Sequence, residues 1–165
     1  MDFNSLDDIK RNGFVGFRTM QELFADSSPL PSTKGIYLIL KIDSKEPTYL
    51  DIGTGGHFKG KNPNVSLQEL EKNWIDKTIV IYIGKAGGES SKATLKSRLK
   101  QYFGFGQGRS VGHWGGRLIW QLEGSNNLVV CWKALPNADP RSEEGHLIKT
   151  FVSQFSNRPF ANLKD

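Results

Sequence analysis

Two tyrosines stand in apolar segments of the chain that predict neighbouring strands. Tyr37 lies in residues 35–42 and Tyr82 in residues 78–83, and both segments are rich in branched and aromatic residues. Adjacent strands of a sheet are roughly 4.8 Å apart, so two phenols on such strands can face one pocket. A free phenol has a pKa of about 10 and is a poor base at neutral pH unless a metal ion or cation lowers that value. The pair therefore suits proton transfer beside positive charge.

An arginine follows in the helix predicted over residues 92–103. Arg98 and Tyr102 are four residues apart and would share one helix face. A guanidinium can bind two phosphate oxygens at once, which an ammonium cannot. Arg98 is therefore a candidate for neutralising a phosphoryl group.

A glutamate completes the set in the helix predicted over residues 140–155. Glu144 is the candidate metal ligand of this helix, and the adjacent Glu143 is the alternative. One carboxylate plus water suits Mg²⁺, which keeps much of its hydration and needs few protein ligands. A base, a cation and a Lewis acid are the groups that hydrolysis of a phosphodiester requires.

Positive charge is concentrated after the second tyrosine. The interval between Glu89 and Glu123 contains no acidic residue, although the whole chain has a net charge of only +5. Its basic residues and histidine are Lys92, Lys96, Arg98, Lys100, Arg109, His113 and Arg117. Its aromatic residues include Tyr102, Phe103, Phe105, Trp114 and Trp120, interleaved with glycines. Cations neutralise a phosphate backbone and glycines let main-chain N–H groups approach it, so the segment indicates a nucleic-acid surface.

Several residues close to these positions are candidates for binding a phosphate. Lys85 directly follows Tyr82-Ile83-Gly84, and either Lys85 or Lys92 would add charge near a bound phosphate or be an ordinary surface lysine. His113 and Trp114 precede two glycines and Arg117. A loop histidine beside a tryptophan more often binds or packs than catalyses, so these residues are expected in binding.

The order of these motifs resembles the GIY-YIG nuclease family. Gly35-Ile36-Tyr37 and Tyr82-Ile83-Gly84 match its two tripeptides, and Arg98 matches its arginine. The family's Glu-x-x-Leu-Ile helix matches at Glu144, and its Pro-x-x-Asn ending matches at Asn162, with Asn157 as the competitor. The resemblance covers about residues 35–162.

This resemblance implies a metal-dependent endonuclease that hydrolyses DNA with Mg²⁺ or Mn²⁺ held by Glu144. It implies that Tyr37 positions or activates water, with Tyr82 beside it, and that Asn162 orients the site. Some members have histidine one turn after the arginine where this chain has Tyr102, so which phenol is the base stays open. An RNA-directed nuclease, or a nucleic-acid-binding module without turnover, remains the alternative.

Composition sets the remaining limits. The 165 residues allow one domain, and the single cysteine, Cys131, lies in an apolar run and excludes an internal disulfide. The chain thus fits a reducing cytoplasm. The N-terminus lacks the pattern of a signal peptide, and no apolar run approaches the roughly 20 residues that span a bilayer. Target choice is expected to depend on residues 51–74, on residues 104–117 or on a partner protein.

The predicted elements describe an α/β (α+β) domain. Strands are predicted over residues 35–42, 78–83, 117–122 and 128–134, the last two joined by a hairpin turn. Helices are predicted over residues 17–25, 66–74, 92–103 and 140–155. The GIY-YIG resemblance implies a three-stranded, mainly antiparallel core sheet flanked by helices. Residues 1–32 are then an N-terminal extension packed on this domain, and residues 51–76 are an insertion between the first two strands.

Overall fold

The computed structural model describes residues 1–163 and shows an α+β fold with one antiparallel sheet flanked by helices. The sheet has four strands in the spatial order β1-β4-β2-β3. They are β1 (Val15–Thr19), β2 (Gly35–Leu40), β3 (Val80–Ala86) and β4 (Val129–Ala134). The helices are α1 (Leu6–Arg11), α2 (Met20–Ala25), α3 (Leu67–Asn73), α4 (Leu95–Gly106) and α5 (Pro140–Phe155).

Strand β2 lies at the centre and pairs with β4 on one side and β3 on the other. Tyr37 lies opposite Gly84 of β3 and opposite Trp132 of β4. All six residues of β2 are buried, and β3 is buried except at Lys85. The continuous apolar character of residues 78–83 predicted burial on both faces, and the structure confirms it.

Each face of the sheet carries its own hydrophobic core, because alternate side chains of a strand point to opposite faces. Tyr37 and Ile39 of β2 pack with Leu99 and Phe103 of α4. Leu38 of the same strand belongs instead to the core formed with α5. That second core also contains Phe3, Ile9, Ile83, Leu147 and Phe151. The sheet therefore holds α4 and α5 on opposite sides of β3.

The N-terminal residues take a larger part in the fold than their polar composition predicted. Residues 15–19 form an edge strand paired with β4 that the sequence did not predict, so the sheet has four strands where the family resemblance implied a core of three. The helix predicted from Phe17 begins only at Met20, because Thr19 caps it in a reciprocal hydrogen-bonded box with Glu22. Phe3 is fully buried and packs edge-on against Phe151 at 5.0 Å between ring centroids.

The prediction of a strand over residues 117–122 is wrong. Residues Arg117–Gln121 form a 3₁₀ helix, and Ser125–Asn127 form another in place of the predicted hairpin turn. Leu118, Ile119 and Trp120 are all buried, and a short, continuously apolar run does not distinguish a strand from a buried helical turn.

The helix predicted over residues 66–74 is confirmed as α3, capped by the Ser66 side chain. The helix predicted over residues 92–103 is confirmed with shifted ends, because Thr94 caps α4 and the helix continues to Gly106. The insertion before α3 is held by Gln121, whose side-chain amide bonds the backbone of Val65 and Leu50. Among residues 1–163, no helix is long and apolar enough to cross a membrane.

Candidate active site

A groove of about 1000 Å³ runs along the outer edge of β3. Its walls are α5, the residues before the first 3₁₀ helix and the C-terminal residues after α5. Its charged side chains are Glu69, Lys85, Arg117, Arg141, Glu144, Lys149 and Arg158, so cations outnumber carboxylates by five to two. The groove therefore favours a polyanion.

The two predicted tyrosines meet at the inner side of this groove. Tyr82 is 7% exposed and lines the groove, whereas Tyr37 is fully buried behind it, with 6.0 Å between ring centroids. The Tyr37 ring lies over Gly84, where an added Cβ would be 2.4 Å from its Cζ atom. Residue 84 must therefore be a glycine for the Tyr37 ring to take this position.

Burial makes both phenols weaker acids. It raises the pKa of Tyr37 to about 12, although the positive charge of Arg98 acts in the opposite direction. Burial also raises the pKa of Tyr82 well above its usual value, with a further increase from Tyr37. In the protein alone, both side chains are neutral phenols at pH 7.

Tyr102 lies deeper than the sequence predicted for a catalytic group. It is fully buried, its ring stacks on Tyr82, and its hydroxyl donates to the Gly116 carbonyl oxygen at 2.9 Å. Burial raises its pKa well above the usual value. Its geometry is that of a support that holds Tyr82 and the adjoining loop.

Lys85 and Glu144 form an ion pair in the groove. The Nζ atom of Lys85 lies 2.5 Å from Oε2 of Glu144, and the two side chains are 35% and 19% exposed. Residue 85 points toward α5 because it shares a sheet face with Ile83, which packs in the α5 core. Glu143, the competing carboxylate, lies beside a different cavity on the other side of α5.

Glu144 offers a place for a divalent cation. Among residues 1–163, no three histidine, cysteine, aspartate or glutamate side chains come together as a metal cage. Mg²⁺ can be held through one carboxylate with water completing its coordination, so the open groove around Glu144 fits that ion. Lys85 now occupies one carboxylate oxygen and would have to share Glu144 with the metal.

Asn162 binds the free edge of β3 as though it were a further strand. Its Oδ1 accepts from the Ile83 N–H and its Nδ2 donates to the Ile83 carbonyl oxygen, both at 2.8 Å. The Ala161 N–H donates to the Ile81 carbonyl oxygen at 3.0 Å. These bonds hold the C-terminal residues against the groove. Asn157 is exposed and lines a neighbouring cavity.

Arg98 and His113 lie behind the groove wall. Arg98 donates to Gln101 Oε1 at 2.8 Å, and its charge acts on the pKa values of Tyr37, Tyr82 and His113. His113 is fully buried with its ring 4.4 Å from the Tyr102 ring, and neither ring nitrogen has a hydrogen-bond partner among the described residues. Burial lowers the pKa of His113 well below its usual value, so it is neutral at pH 7.

The predicted nucleic-acid-binding residues divide into two groups. Lys85, Trp114 and Arg117 line the groove, and the Arg117 guanidinium lies 4.5 Å from the Trp114 ring centroid. The remaining lysines and arginine of the acid-free segment are outside its lining: Lys92, Lys96, Lys100 and Arg109. The pKa of Asp26 is lowered mainly by hydrogen bonds from Ser28 and to a smaller extent by the charge of Lys96. Arg109 lies close to Gly104 in the last part of α4.

Sequence reasoning missed three basic residues of the groove: Arg141, Lys149 and Arg158. Arg141 and Lys149 are eight residues apart on α5, and Gly145 lies midway between them. These three residues therefore share one helix face, which also carries Ile148. This periodicity was present in the sequence beside Glu144. Comparison with protein-family models, with curated proteins and with solved structures finds no match.

Proposed function

We propose that this protein is a metal-dependent endonuclease that hydrolyses phosphodiester bonds of DNA. The observation that carries the proposal is the meeting of Tyr82, Lys85 and Glu144 in one cationic groove, reached from separate parts of the chain. Tyr37 and Arg98 lie behind Tyr82, and, after burial, both act on the pKa of the Tyr82 phenol.

The fold supports a likeness to the GIY-YIG family. Strands β2, β3 and β4 are adjacent and antiparallel, and α4 and α5 supply the arginine and the glutamate. In this interpretation the three strands are the family's core sheet, and β1 is an addition at the edge beyond β4.

The side chains that face the groove divide the chemical work. Tyr82 presents its phenol to the groove and would orient the attacking water, with Tyr37 fixing the Tyr82 ring from behind. Lys85 in the groove, together with the charge of Arg98 behind the groove wall, would oppose the negative charge that grows on the phosphoryl oxygens. Glu144 would hold Mg²⁺ or Mn²⁺, which as a Lewis acid supplies charge stabilisation and a more acidic bound water. Water would attack phosphorus and release a proton to solvent, and the bond from phosphorus to the leaving oxygen would break as that oxygen takes up a proton, which gives a phosphomonoester and a free hydroxyl.

The test is nicking of supercoiled plasmid with Mg²⁺ or with EDTA. We expect cleavage only with the metal, and a loss of at least about 100-fold in Glu144→Gln because the cation loses its carboxylate. The matched control is Glu143→Gln, which removes the same charge from the neighbouring residue outside the groove. Equal loss in both variants would contradict the assignment of Glu144.

The Lys85–Glu144 ion pair gives the second candidate function a specific basis. A carboxylate already paired at 2.5 Å would suit a binding module without turnover. Wild-type protein that binds DNA and cuts neither DNA nor RNA with Mg²⁺ or Mn²⁺ would establish that alternative. Cleavage of RNA alone would change the substrate and leave the site assignment intact.

A further inference from the structure

Gly145 occupies a place in α5 that its packing does not explain. A Cβ added there would meet nothing within 4 Å, although the residue lies inside a 16-residue helix. The other glycines within helices and strands each approach a neighbouring atom within 4 Å: Gly16, Gly35, Gly84, Gly104 and Gly106. Glycine weakens a helix interior relative to alanine, so a glycine without a packing role suggests a ligand that needs the space.

The space beside Gly145 opens into the groove between two cations. Arg141 precedes it by one turn and Lys149 follows it by one turn, and all three line the groove. Within residues 1–163 neither Arg141 nor Lys149 forms an ion pair, so both charges are available to an anion. The helix rise puts the two cations about 12 Å apart along the axis, a length that spans roughly three nucleotides of a strand.

We propose that Gly145 is a close-approach point for the sugar-phosphate backbone of a polynucleotide, with Arg141 and Lys149 contacting phosphates on either side. This rests on the proposed function for the identity of the polymer. A side chain at 145 would hold the strand away from α5 and from Glu144 beside it. The glycine is then retained for binding at the expense of helix stability.

The experiment measures binding separately from cleavage. Fluorescence anisotropy with a labelled 20-base-pair DNA duplex, and with its single strand, is recorded in EDTA for wild type, Gly145→Ala and Gly145→Leu. We expect affinity to fall at least about threefold with alanine and about tenfold or more with leucine. Alanine should at the same time raise Tm by about 2–4 °C, because it improves the helix. The matched control is Ser142→Leu, which adds a leucine side chain at a small, exposed residue of α5 outside the groove.

The salt dependence tests the flanking cations. Arg141→Gln and Lys149→Gln should each reduce the slope of log K against log salt by about 0.9 for a duplex, because each removes one phosphate contact. Ser142→Leu should leave the slope unchanged, because it removes no charge.

Opposite changes in stability and affinity would support the proposal. Unchanged binding by both Gly145 variants, or a lower Tm in Gly145→Ala, would overturn it while leaving endonuclease activity in place. Absence of cleavage with position-dependent binding would overturn the proposed activity and keep this contact. Absence of binding to either form of DNA would overturn both.

Discussion

At the scale of single residues, the three tyrosines of the candidate site, Tyr37, Tyr82 and Tyr102, differ in how deeply they are buried and in what their side chains contact. Their positions in the sequence do not show these differences. Tyr82 is the phenol that lines the groove, and Tyr37 lies beneath it. The Tyr102 hydroxyl donates a hydrogen bond to the Gly116 carbonyl oxygen. The geometry therefore favours Tyr82 for contact with substrate. The family resemblance by itself had favoured Tyr37.

Removal of single hydroxyl groups separates these roles. In Tyr82→Phe we expect cleavage to fall about 100-fold with little change in stability, because the lost hydroxyl faces the groove. In Tyr102→Phe we expect a loss of about 0.5–1.5 kcal/mol in the free energy of unfolding, because the buried Gly116 carbonyl loses one of its two hydrogen bonds and keeps the one from the Ile119 N–H. Plasmid nicking and urea denaturation measure the two effects.

The two variants serve as controls for each other, since both delete one phenolic oxygen from stacked rings. A large loss of cleavage in a fully folded Tyr102→Phe, with Tyr82→Phe unaffected, would contradict this division of roles. Tyr37→Phe completes the series and tests whether the buried phenol is needed to position Tyr82.

At the scale of elements, β3 matters because it is the edge of the sheet. An edge strand has unpaired N–H and C=O groups, and native proteins cover them. Here the side chain of Asn162 covers Ile83, and the backbone of Ala161 covers Ile81. These bonds tie residues 161–162 to the strand that carries Tyr82 and Lys85.

Substitution of the covering amide tests this role. Asn162→Ala should lower the free energy of unfolding by about 1–3 kcal/mol, because it removes the two hydrogen bonds to the backbone N–H and C=O of Ile83. It should also speed hydrogen exchange of the Ile83 amide, because that N–H loses its acceptor. Urea denaturation and NMR-detected exchange provide the measurements.

The competing asparagine supplies the control. Asn157→Ala changes an exposed residue and should alter neither the stability nor the Ile83 exchange rate. Equal exchange rates at Ile83 in wild type and Asn162→Ala would show that the amide bond does not protect the strand.

At the scale of the whole molecule, packing turns a loop histidine into a buried neutral group. His113 packs against Tyr102 behind the groove with its ring tilted by 35°, and burial, helped by the charge of Arg98, opposes its protonation and lowers its pKa. Below pH about 6.5 the unfolded chain binds a proton at this residue, whereas the folded chain does not until a much lower pH. Stability therefore decreases as pH falls below 6.5, and this contribution is absent above it.

Substitution of His113 should flatten that acid limb. Between pH 6.5 and 5, His113 contributes a slope of up to about 1.4 kcal/mol per pH unit to the wild-type free energy of unfolding. His113→Leu should lose this slope, whatever its stability at pH 7.5. Urea denaturation over this pH range measures it, with the exposed His57→Leu as control. An unchanged slope in His113→Leu would place the acid sensitivity elsewhere.

The sequence predicted the central strands and the long helices because their local patterns and their packing agree. Residues 35–42 and 78–83 are apolar and branched and form β2 and β3, while Ser66 caps α3 as its position indicated. The prediction of a strand over residues 117–122 failed because a run of apolar residues fits any buried element, whether strand or helical turn. Its turn is fixed by Trp120 packing over Gly106, a contact that joins two parts of the chain. Strand β1 was missed because three of its five residues are exposed, none is buried, and its pairing with β4 is bulged.

By itself, the sequence determined the chemical groups available to this protein and the elements that carry Tyr37, Tyr82, Arg98 and Glu144. Only the tertiary structure decided which phenol reaches solvent and which cations surround Glu144. Depth and facing depend on contacts between residues far apart in the chain, such as Lys85 with Glu144 and Ile83 with Asn162. Local patterns carry no information on those distances, so the acid-free segment indicated Lys92 and Lys100 while the fold placed Arg141 and Lys149 in the groove.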